Sequence, residues 1–544
     1  MNARQFHDAT THTPASVRTS GHTLDWDVKP FPFKVYTDTP AVELPRTFDA
    51  VDVDTLTAIA AAADRSAELT LARLAALLYL SAGVTKKKSY GGGVEVLFRA
   101  AASTGALYQT EVYVAAGAVQ GLAPGLYHFC PGDFTLRRLR DGDVRGALTR
   151  AAADDDLSRR AATLILSAIY WRNTWKYQAR GFRHLFWDSG TMLANVLAVG
   201  HAIGASPTIV TGFVDDDVNQ ILGVDGSRET SLELVALGPS GSPAPDAGVL
   251  PPITHATLLS SSEVDYPLLR EMVEVSKLAT PAEVRSWRGL HQAGAGGGSG
   301  GSHADISGRE QAKPAPDVAG GVRPPASPAR SDVLHLPPAR TSADRALGTT
   351  IEHRGSTRQF AHEAIGAVEL ATVLWAAARE VPADVPSGLV EIFVIVNAVD
   401  GVPPGAYVYR RAEHVLALVR AGAFRDRASY LTLEQALGGD AAATLFFLAP
   451  LNAIRGRWGE RGYRLVNLEA GLAGGRAYLA AYAQGFGASG LTFYDRLVVD
   501  FFAPASAGMD AVFVTALGHS VRQPRSPLID RLTDTRESRS RDRR

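Results

Sequence analysis

Two arginines and a hydroxyl alternate in the segment Arg354-Gly-Ser356-Thr-Arg358. Side chains with this spacing can converge on one anionic group. Arginine suits that task because its guanidinium presents a rigid fork of N–H donors that matches phosphate. The segment therefore predicts an anion site, and a solvated basic loop is the alternative that this pattern leaves open.

Two segments of the N-terminal half are suited to approach a flat ligand and to move protons. Ser103, Thr104 and Gly105 form a small turn whose glycine lets the backbone come close to a ligand. Lys176 and Tyr177 are candidates for proton transfer, provided that burial shifts their pKa values. An ordinary turn before a strand and a surface loop with an aromatic anchor are the alternatives.

A fourth segment, Ser489-Gly490-Leu491, is a small-residue turn after a long predicted helix. It overlaps a literal GxGxxG that begins at Gly485. The preceding helix argues against a dinucleotide-binding site, because that motif follows a strand. The acidic run at 215–217 fits the start of a helix better than a metal site.

The two halves of the chain repeat each other. Residues 161–190 align with residues 442–471 without a gap, at an offset of 281. An Arg-Gly-x-Arg pattern recurs within this match, at 180–183 and 461–464. A repeat of this length is too large for a solenoid unit, so we predict two copies of one domain of about 200 residues.

Each copy is expected to position these segments with an α+β fold, in which helices pack on a mixed sheet. Runs of apolar residues and segments of helical periodicity recur in both copies. The strands are predicted at 111–116, 232–238, 391–396 and 511–518. The helices are predicted at 55–63, 68–83, 157–171, 183–204, 440–449 and 464–486.

Composition sets the expected boundaries. The Gly-, Ser-, Pro- and Ala-rich stretch 293–345 lacks apolar periodicity and cannot offset its ordering entropy, so we predict a flexible linker. The first domain is then 1–292, with an N-terminal extension, and the second domain is 346–522. The Arg-rich tail 523–544 is predicted to be disordered.

The overall composition excludes several classes of protein. Of the 544 residues, 46% are hydrophobic, which rules out disorder throughout, and a formal net charge of -1 argues against nucleic-acid binding. The single cysteine, Cys130, excludes a disulfide framework, and the histidines show no ligand spacing, so no metal site is predicted. No apolar run reaches the length of a membrane span and the N-terminus lacks a signal-peptide core, so we expect a cytoplasmic protein.

In combination, the four motifs resemble those of the nitroreductase superfamily, and specifically the SagB/ThcOx-type dehydrogenases. RGSTRQF (354–360) is similar to the RxSxRxF signature for the flavin phosphate, and ASTGALYQTE (102–111) is similar to the PSxGxLYPxE loop, with Ala102 in place of proline. WKYQARGFR (175–183) is similar to the Lys-Tyr motif followed by RxYR. The resemblance implies a fold in which two subunits interlock with FMN at their interface.

The motifs are divided between the two copies. The first copy lacks RxSxRxF, whereas the second has Arg457-Trp458 in place of Lys-Tyr and a turn before Glu391 that is four residues shorter. Each copy therefore keeps the motifs that the other lacks. We predict a pseudo-dimer within one chain, with one complete and one degenerate flavin site, and no need to associate further.

The resemblance implies a role for each motif. Arg354, Ser356 and Arg358 would hold the FMN phosphate or nearby ring oxygens, with Arg522 as an additional candidate. Ser103, Thr104 and Gly105 would cover the ring, and Ser489, Gly490 and Leu491 would place a backbone N–H near the flavin N5. Lys176 and Tyr177 would provide the acid–base function. Either Lys176 or Tyr177 is the base.

The implied reaction is the oxidation of azoline rings, thiazoline or oxazoline, in a ribosomally made peptide during natural-product biosynthesis. Molecular oxygen would reoxidise FMN, and a cyclodehydratase complex is a possible partner. The alternatives are an NAD(P)H-dependent FMN reductase of nitro compounds or quinones, an oxidase of another small molecule, and a non-catalytic scaffold that binds no flavin. The retained Lys-Tyr pair favours the dehydrogenase.

Overall fold

The computed structural model describes residues 1–48, 50–61, 66–89, 95–248, 250–253, 256–295 and 333–521. Within these ranges each half of the chain is built around a seven-stranded sheet, and the helices pack on the sheets. The predicted α+β class is confirmed. The prediction of a mixed sheet is wrong, because neighbouring strands of both large sheets are antiparallel.

The strands of the first half are β1 Ala41–Glu43, β2 Val84–Ser89, β3 Glu95–Arg99, β4 Thr110–Ala116, β5 Gly125–Cys130, β6 Thr135–Asp141, β7 Arg160–Ile169, β8 Thr208–Val210 and β9 Glu229–Ser240. Those of the second half are β10 Val333–His335, β11 Ile365–Gly366, β12 Glu391–Val396, β13 Val399–Asp400, β14 Gly405–Arg410, β15 Val415–Ala421, β16 Ala443–Ala449, β17 Gly487–Gly490 and β18 Asp510–Gly518. The strand orders are β1-β6-β5-β4-β7-β9-β8 and β10-β15-β14-β12-β16-β18-β17, so the two sheets have the same topology.

The helices of the first half are α1 Ala3–Ala9, α2 Pro14–Arg18, α3 Thr55–Ala60, α4 Leu71–Ala82, α5 Arg145–Ala152, α6 Asp156–Arg159, α7 Tyr170–Tyr177, α8 Gly181–Ala202, α9 Asp215–Leu222, α10 Pro267–Val275 and α11 Pro281–Ala295. Those of the second half are α12 Leu347–His353, α13 Ala367–Ala377, α14 Arg425–Leu431, α15 Ala436–Asp440, α16 Leu451–Trp458, α17 Gly462–Ala483 and α18 Asp495–Phe502. Within the described ranges, no helix is long and apolar enough to cross a membrane.

Two predicted helices, at 157–171 and 440–449, are for most of their length the interior strands β7 and β16. Every residue of both strands is buried. A strand that is covered on both faces has a continuous apolar run without alternation, and such a run cannot be distinguished from a buried helix by periodicity.

The predicted linker at 293–345 is wrong at both of its ends. Helix α11 continues to Ala295, and β10 pairs with β15, where Leu334 lies opposite Leu416. This pairing joins the chain to the second sheet before residue 346. The remainder of the predicted linker, 296–332, and the predicted disordered tail lie outside the described residues.

The long helices α8 and α17 pack against each other and join the halves. Their backbones touch at Gly190 and Gly471, which are equivalent in the sequence repeat. A Cβ on Gly190 would lie 2.5 Å from the carbonyl oxygen of Leu468, and one on Gly471 would lie closer still to that of Trp187. Both helices are buried for almost their whole length, so they form a core that the two halves share.

Candidate functional site

Two buried charge clusters, related by the repeat, join the halves on either side of the central helices. Asp495, the first residue of α18, accepts hydrogen bonds from Arg180 (3.0 Å) and Arg183 (2.5 Å) of the first half. The second cluster places Asp215, the first residue of α9, against Arg461 and Arg464 of the second half. Against the upward effect of burial, the paired arginines hold the pKa of both aspartates below the usual range.

The start of the predicted anion-binding segment is held against the first half. Arg354 donates from Nε to the carbonyl oxygen of Ala100 (2.9 Å) and from Nη2 to that of Arg99 (3.1 Å). In return, the ammonium of Lys86, on β2, donates to the carbonyl oxygens of His353 (2.7 Å) and Arg354. Two of the three guanidinium nitrogens of Arg354 thus serve the contact between the halves, and Nη1 has no hydrogen-bond acceptor in the described part of the chain.

Ser356 and Arg358 follow on the same segment. The Ser356 hydroxyl lies 3.2 Å from the hydroxyl of Tyr478, which also accepts the N–H of Gly490 (2.6 Å). Arg358 is exposed and has no carboxylate partner among the described residues. The cationic segment and strand β17 therefore line one region, in which a positive charge is left uncompensated.

Lys176 and Tyr177 lie at the end of α7 and face this region from the first half. Lys176 is exposed, and partial desolvation together with the charge of Arg358 lowers its pKa. Burial and the negative charge of Asp188 raise the pKa of Tyr177, against the opposing effect of Arg358. The Tyr177 ring packs edge-to-face on His184, at 4.4 Å between centroids. The amine of Lys176 thus loses its proton more readily than an ordinary lysine, whereas the phenol of the neighbouring Tyr177 retains its proton more strongly than an ordinary tyrosine.

The turn at 103–105 is fixed by one buried carboxylate, that of Asp188 on α8. This carboxylate accepts the hydroxyls of Ser103 (2.5 Å) and Thr104 (2.7 Å) and the backbone N–H of Thr104 (2.9 Å). Burial raises the pKa of Asp188 to about 6, although these hydrogen bonds oppose the shift. Gly105 has a φ of 65°, and a Cβ there would lie 2.8 Å from the Tyr177 hydroxyl oxygen. The turn and α7 therefore present one surface.

The predicted turn after the long helix is the end of strand β17. Ser489 is buried, the N–H of Gly490 is bound by Tyr478, and the N–H of Leu491 donates to a carbonyl of β18 (3.2 Å). The next amide, that of Thr492, has no acceptor among the described residues. The free backbone N–H predicted for 489–491 thus lies one residue further on.

These contacts connect eleven of the twelve predicted site residues along one seam between the halves, which we call the first site. The twelfth, Arg522, lies outside the described residues. The first site combines a cationic segment of the second half with Lys176, Tyr177 and a glycine turn of the first. Its arrangement is suited to bind an anionic, planar ligand and to move a proton beside it.

Comparison with known proteins places the chain in a family. A model of the "Nitroreductase family" matches residues 351–519. A protein of Methanocaldococcus jannaschii, described as "Putative nitroreductase MJ1384", is 30% identical over 174 residues, which cover 32% of this chain and 82% of that protein. The chain belongs to the nitroreductase family. A solved structure from Anabaena variabilis, described as a "putative nitroreductase", is similar over 95% of this chain and 99% of its own, with a TM-score of 0.72 and 25% identity.

The FMN that the resemblance implies fits the residues of this nitroreductase-family site. Arg358 and Lys176 face each other without a carboxylate between them, so a phosphate or an electron-rich ring edge would balance their charge. The free N–H of Thr492 offers a donor to such a ring. Gly105 lets the turn lie close to Tyr177, because a Cβ there would be 2.8 Å from the tyrosine hydroxyl.

The repeat defines an equivalent position in the other seam, which we call the mirror site. Arg457 and Trp458 stand there where Lys176 and Tyr177 stand in the first site. The nitroreductase-family RxSxRxF motif has no counterpart beside them, because it occurs in the second half alone. The mirror site therefore lacks both the cationic segment and the lysine–tyrosine pair.

The chain's own side chains fill the mirror site. Asp384 accepts the N–H of Thr211 (2.8 Å), the counterpart of Thr492 at the repeat offset, and the N–H of Gly212 (2.9 Å). Trp287 of α11 lies over Gly212, where a Cβ would be 2.7 Å from the indole. Its indole N–H donates to the carbonyl oxygen of Trp458 (3.2 Å). The amide that is free at the first site is thus bound here.

Sequence reasoning missed Asp188, Thr492 and the two residues that fill the mirror site, Asp384 and Trp287. A signal existed for Asp188, because the repeat offset places Glu469 at the same position of α17. The Glu469 carboxylate accepts the N–H of Gly388 (3.0 Å) in the shortened turn of the second half. An acidic residue that recurs at this position marks the support of both turns. Nothing in the sequence marks the other three.

Proposed function

We propose that the chain is an FMN-dependent dehydrogenase that oxidises azoline rings of a ribosomally made peptide to azoles. The observation that supports this most is the meeting of Lys176 and Tyr177 with Arg358 across the seam. A proton-transfer pair from one half faces an anion-binding segment from the other. Charge and burial that shift pKa values in this way are typical of catalytic groups.

In this proposal the residues of the first site hold FMN from both halves. Arg354, Ser356 and Arg358 would hold the phosphate. The turn at 103–105 would cover the ring, and the N–H of Thr492 would be a donor to it. When bound, FMN would supply the hydride acceptor, and the protein would supply position and electrostatics.

Lys176 is the base of the proposed reaction. Its lowered pKa increases the fraction of neutral amine near neutral pH, and a neutral amine can remove the proton from one ring carbon. Tyr177 keeps its proton, because its pKa is raised, and it orients the ring as a hydrogen-bond donor. The ring loses one proton and, from the neighbouring carbon, one hydride. Molecular oxygen is the final acceptor of the two electrons, and a cyclodehydratase forms the azoline beforehand.

A visible absorbance spectrum of the purified protein, with FMN quantified per chain, is the first test. We expect about one FMN per chain, because the donors are free at one of the two seams. Two per chain would contradict a filled mirror site. A protein that binds no FMN, even when FMN is added, would contradict the proposal and favour a scaffold.

A turnover assay separates the two enzyme functions. The flavin-loaded protein is incubated with an azoline peptide in air, and mass spectrometry detects the loss of two hydrogens per ring. We expect this loss without NADH or NADPH. Oxidation of NADPH by a nitro compound, with no azole formed, would instead support a reductase.

A further inference from the structure

An irregular segment near the N-terminus, residues 22–31, runs along helix α7, and we call it the strap. It meets α7 at two buried tryptophans one turn apart, Trp171 and Trp175. The indole N–H of Trp171 donates to the carbonyl oxygen of Val28 (3.1 Å), and that of Trp175 donates to the carbonyl oxygen of Asp25 (2.7 Å). The strap therefore binds one face of α7 in two successive turns.

Three side chains of the strap meet at Trp175, the residue before Lys176. Trp26 packs edge-to-face on the Trp175 ring, at 5.2 Å between centroids, and the ammonium of Lys29 lies 5.9 Å from the centroid of that ring. His22 Nε2 lies 3.2 Å from the carbonyl oxygen of Trp175. The last carbonyls of a helix have no partner inside the helix, so this contact caps the end of α7. Both the side chain and the main chain of Trp175 are thus held.

The strap is itself fixed to its surroundings. At its end, Arg172 Nε donates to the carbonyl oxygen of Phe31 (3.2 Å), and the N–H of Phe31 donates to the carbonyl oxygen of Leu259 (2.7 Å). Ahead of the strap, the N–H of His12 donates to Asp495 (2.8 Å), which belongs to the charge cluster that joins the halves. The strap therefore connects the contact between the halves with α7.

Helix α16, the counterpart of α7 in the repeat, cannot make the indole contacts. Asn452 and Gly456 stand at the positions of the two tryptophans, and both are exposed. A Cβ on Gly456 would have no atom of the described residues within 4 Å. Both helices nevertheless have eight residues, so the fold does not need the tryptophans to form this helix. The indole contacts occur only at the helix that carries Lys176 and Tyr177.

We infer that Trp175 is a positioning residue for the proposed reaction: held by the strap, it fixes the end of α7 and keeps the amine of Lys176 opposite Arg358. This inference rests on the proposed function and adds what sets the position of the base. Lys176 is the exposed residue of α7, so a rotation of the helix would move its amine. Toward α8, Asn173 Oδ1 lies 3.0 Å from Nδ1 of His184. The strap and α8 thus hold the helix on two faces.

The surroundings of Lys176 make its position measurable. Partial desolvation and the charge of Arg358 lower the pKa of Lys176. An amine that moves into water and away from Arg358 would regain the pKa of an ordinary lysine. The other titratable or charged groups next to the end of α7 are Tyr177 on α7, His184 and Asp188 on α8, and His22 and Lys29 on the strap.

The test measures how readily Lys176 loses its proton in the full-length protein as purified. The protein is treated with acetic anhydride over a range of pH, and mass spectrometry follows the acetylation of Lys176. Trp175→Phe keeps a ring but loses the hydrogen bond to the strap. We expect it to raise the midpoint of the reaction by about half a pH unit, because solvation favours the charged amine.

Two further variants complete this test. Trp26→Ala removes the same contact from the side of the strap, and the position is 65% exposed, so folding should be unaffected. We expect it to raise the midpoint too. The matched control, Trp287→Phe, loses an indole hydrogen bond to the last residue of α16 and should leave the midpoint unchanged. An unchanged midpoint in Trp175→Phe or in Trp26→Ala would overturn the inference, and so would an equal shift in the control.

Turnover of an azoline peptide provides a second measurement. We expect kcat of Trp175→Phe to fall about threefold with KM unchanged, because half a pH unit changes the fraction of neutral amine by that factor. An unchanged kcat would contradict a positioning role. Because acetylation requires no turnover, a shifted midpoint in a protein that forms no azole would count against the proposed function alone.

Discussion

The first site and the mirror site differ in whether their donors are already satisfied. At the first site, Arg358 lacks a carboxylate partner and the amide of Thr492 lacks an acceptor, among the described residues. At the mirror site, Asp384 accepts the equivalent amide, that of Thr211, and Trp287 covers the next residue, Gly212. A satisfied donor gains little from a ligand. The same backbone arrangement can therefore be a binding site in one seam and a packed interface in the other.

The residues that frame the two sites are nearly symmetric. Asp215 and Asp495 each bind a pair of arginines from the other half, and Asp188 and Glu469 each hold a turn. These four acidic residues, which we call the frame, can thus be tested separately from the two sites. Paired variants at equivalent positions should have equal effects on the frame and unequal effects on catalysis.

Loss of the Lys176 amine should distinguish the first site from the mirror site most clearly. We expect Lys176→Ala to lower turnover of an azoline peptide by about 10²–10⁴-fold at saturating FMN, the range for a lost general base. The matched change at the mirror site, Arg457→Ala, should leave turnover unchanged. Initial rates of azole formation measure both. A large loss in Arg457→Ala would show that the mirror site also takes part.

The pH dependence of turnover should identify the base. Only the neutral amine of Lys176 accepts a proton, so turnover should rise with pH as this group loses its proton. Because its pKa is lowered, the rise should occur at a lower pH than for an ordinary lysine. A tyrosine base whose pKa is raised would place the rise at a higher pH, which would contradict the assignment.

Substitution of the frame aspartates should lower the free energy of unfolding equally in the two halves of the interface. Asp495→Asn and Asp215→Asn each leave two buried arginines without a carboxylate, and loss of one partner of a buried pair costs about 3–5 kcal/mol. We expect similar decreases in the free energy of unfolding, measured by urea denaturation. A decrease in only one variant would contradict an equivalent frame.

Flavin affinity should depend on the first site alone. We expect Arg358→Ala to weaken FMN binding roughly 10–100-fold, because a hydrogen bond to a charged group contributes about 1.5–3 kcal/mol. Quenching of flavin fluorescence during titration measures the dissociation constant. Arg457→Ala serves again as the mirror-site control. An unchanged constant in Arg358→Ala would remove this residue from the phosphate contacts.

The smallest expected effect concerns the turn that Asp188 holds. Its pKa of about 6 means that the carboxylate is protonated as pH falls below that value. A protonated carboxyl accepts fewer of the hydrogen bonds from the turn at 103–105, so FMN release should become a few times faster. Stopped-flow fluorescence above and below pH 6 measures the release rate. Glu469→Gln, the change at the equivalent position, should not alter this dependence.

The sequence predicted which segments come together better than it predicted their hydrogen bonds. Motifs of charged and small residues marked the segments that meet in the first site, because residue type and spacing carry that information. The free amide was expected at 489–491 and lies at Thr492, since the pairing of β17 with β18 decides which N–H is used. The contact of Asp384 with Gly212 joins residues far apart in the chain, and no local pattern marks it. The roles assigned to the site residues and the outer domain boundaries stay predictions.

The contact between Gly190 and Gly471 also has a consequence for how the chain reaches its native state. The two glycines are 281 positions apart, yet their helices provide the core of both halves. Until the second half has been synthesised, α8 has no partner for the face it buries against α17. Contacts between residues so distant in the chain form slowly, because a long loop must close before they stabilise anything. We therefore expect folding to finish after synthesis, with both halves gaining protection from hydrogen exchange together.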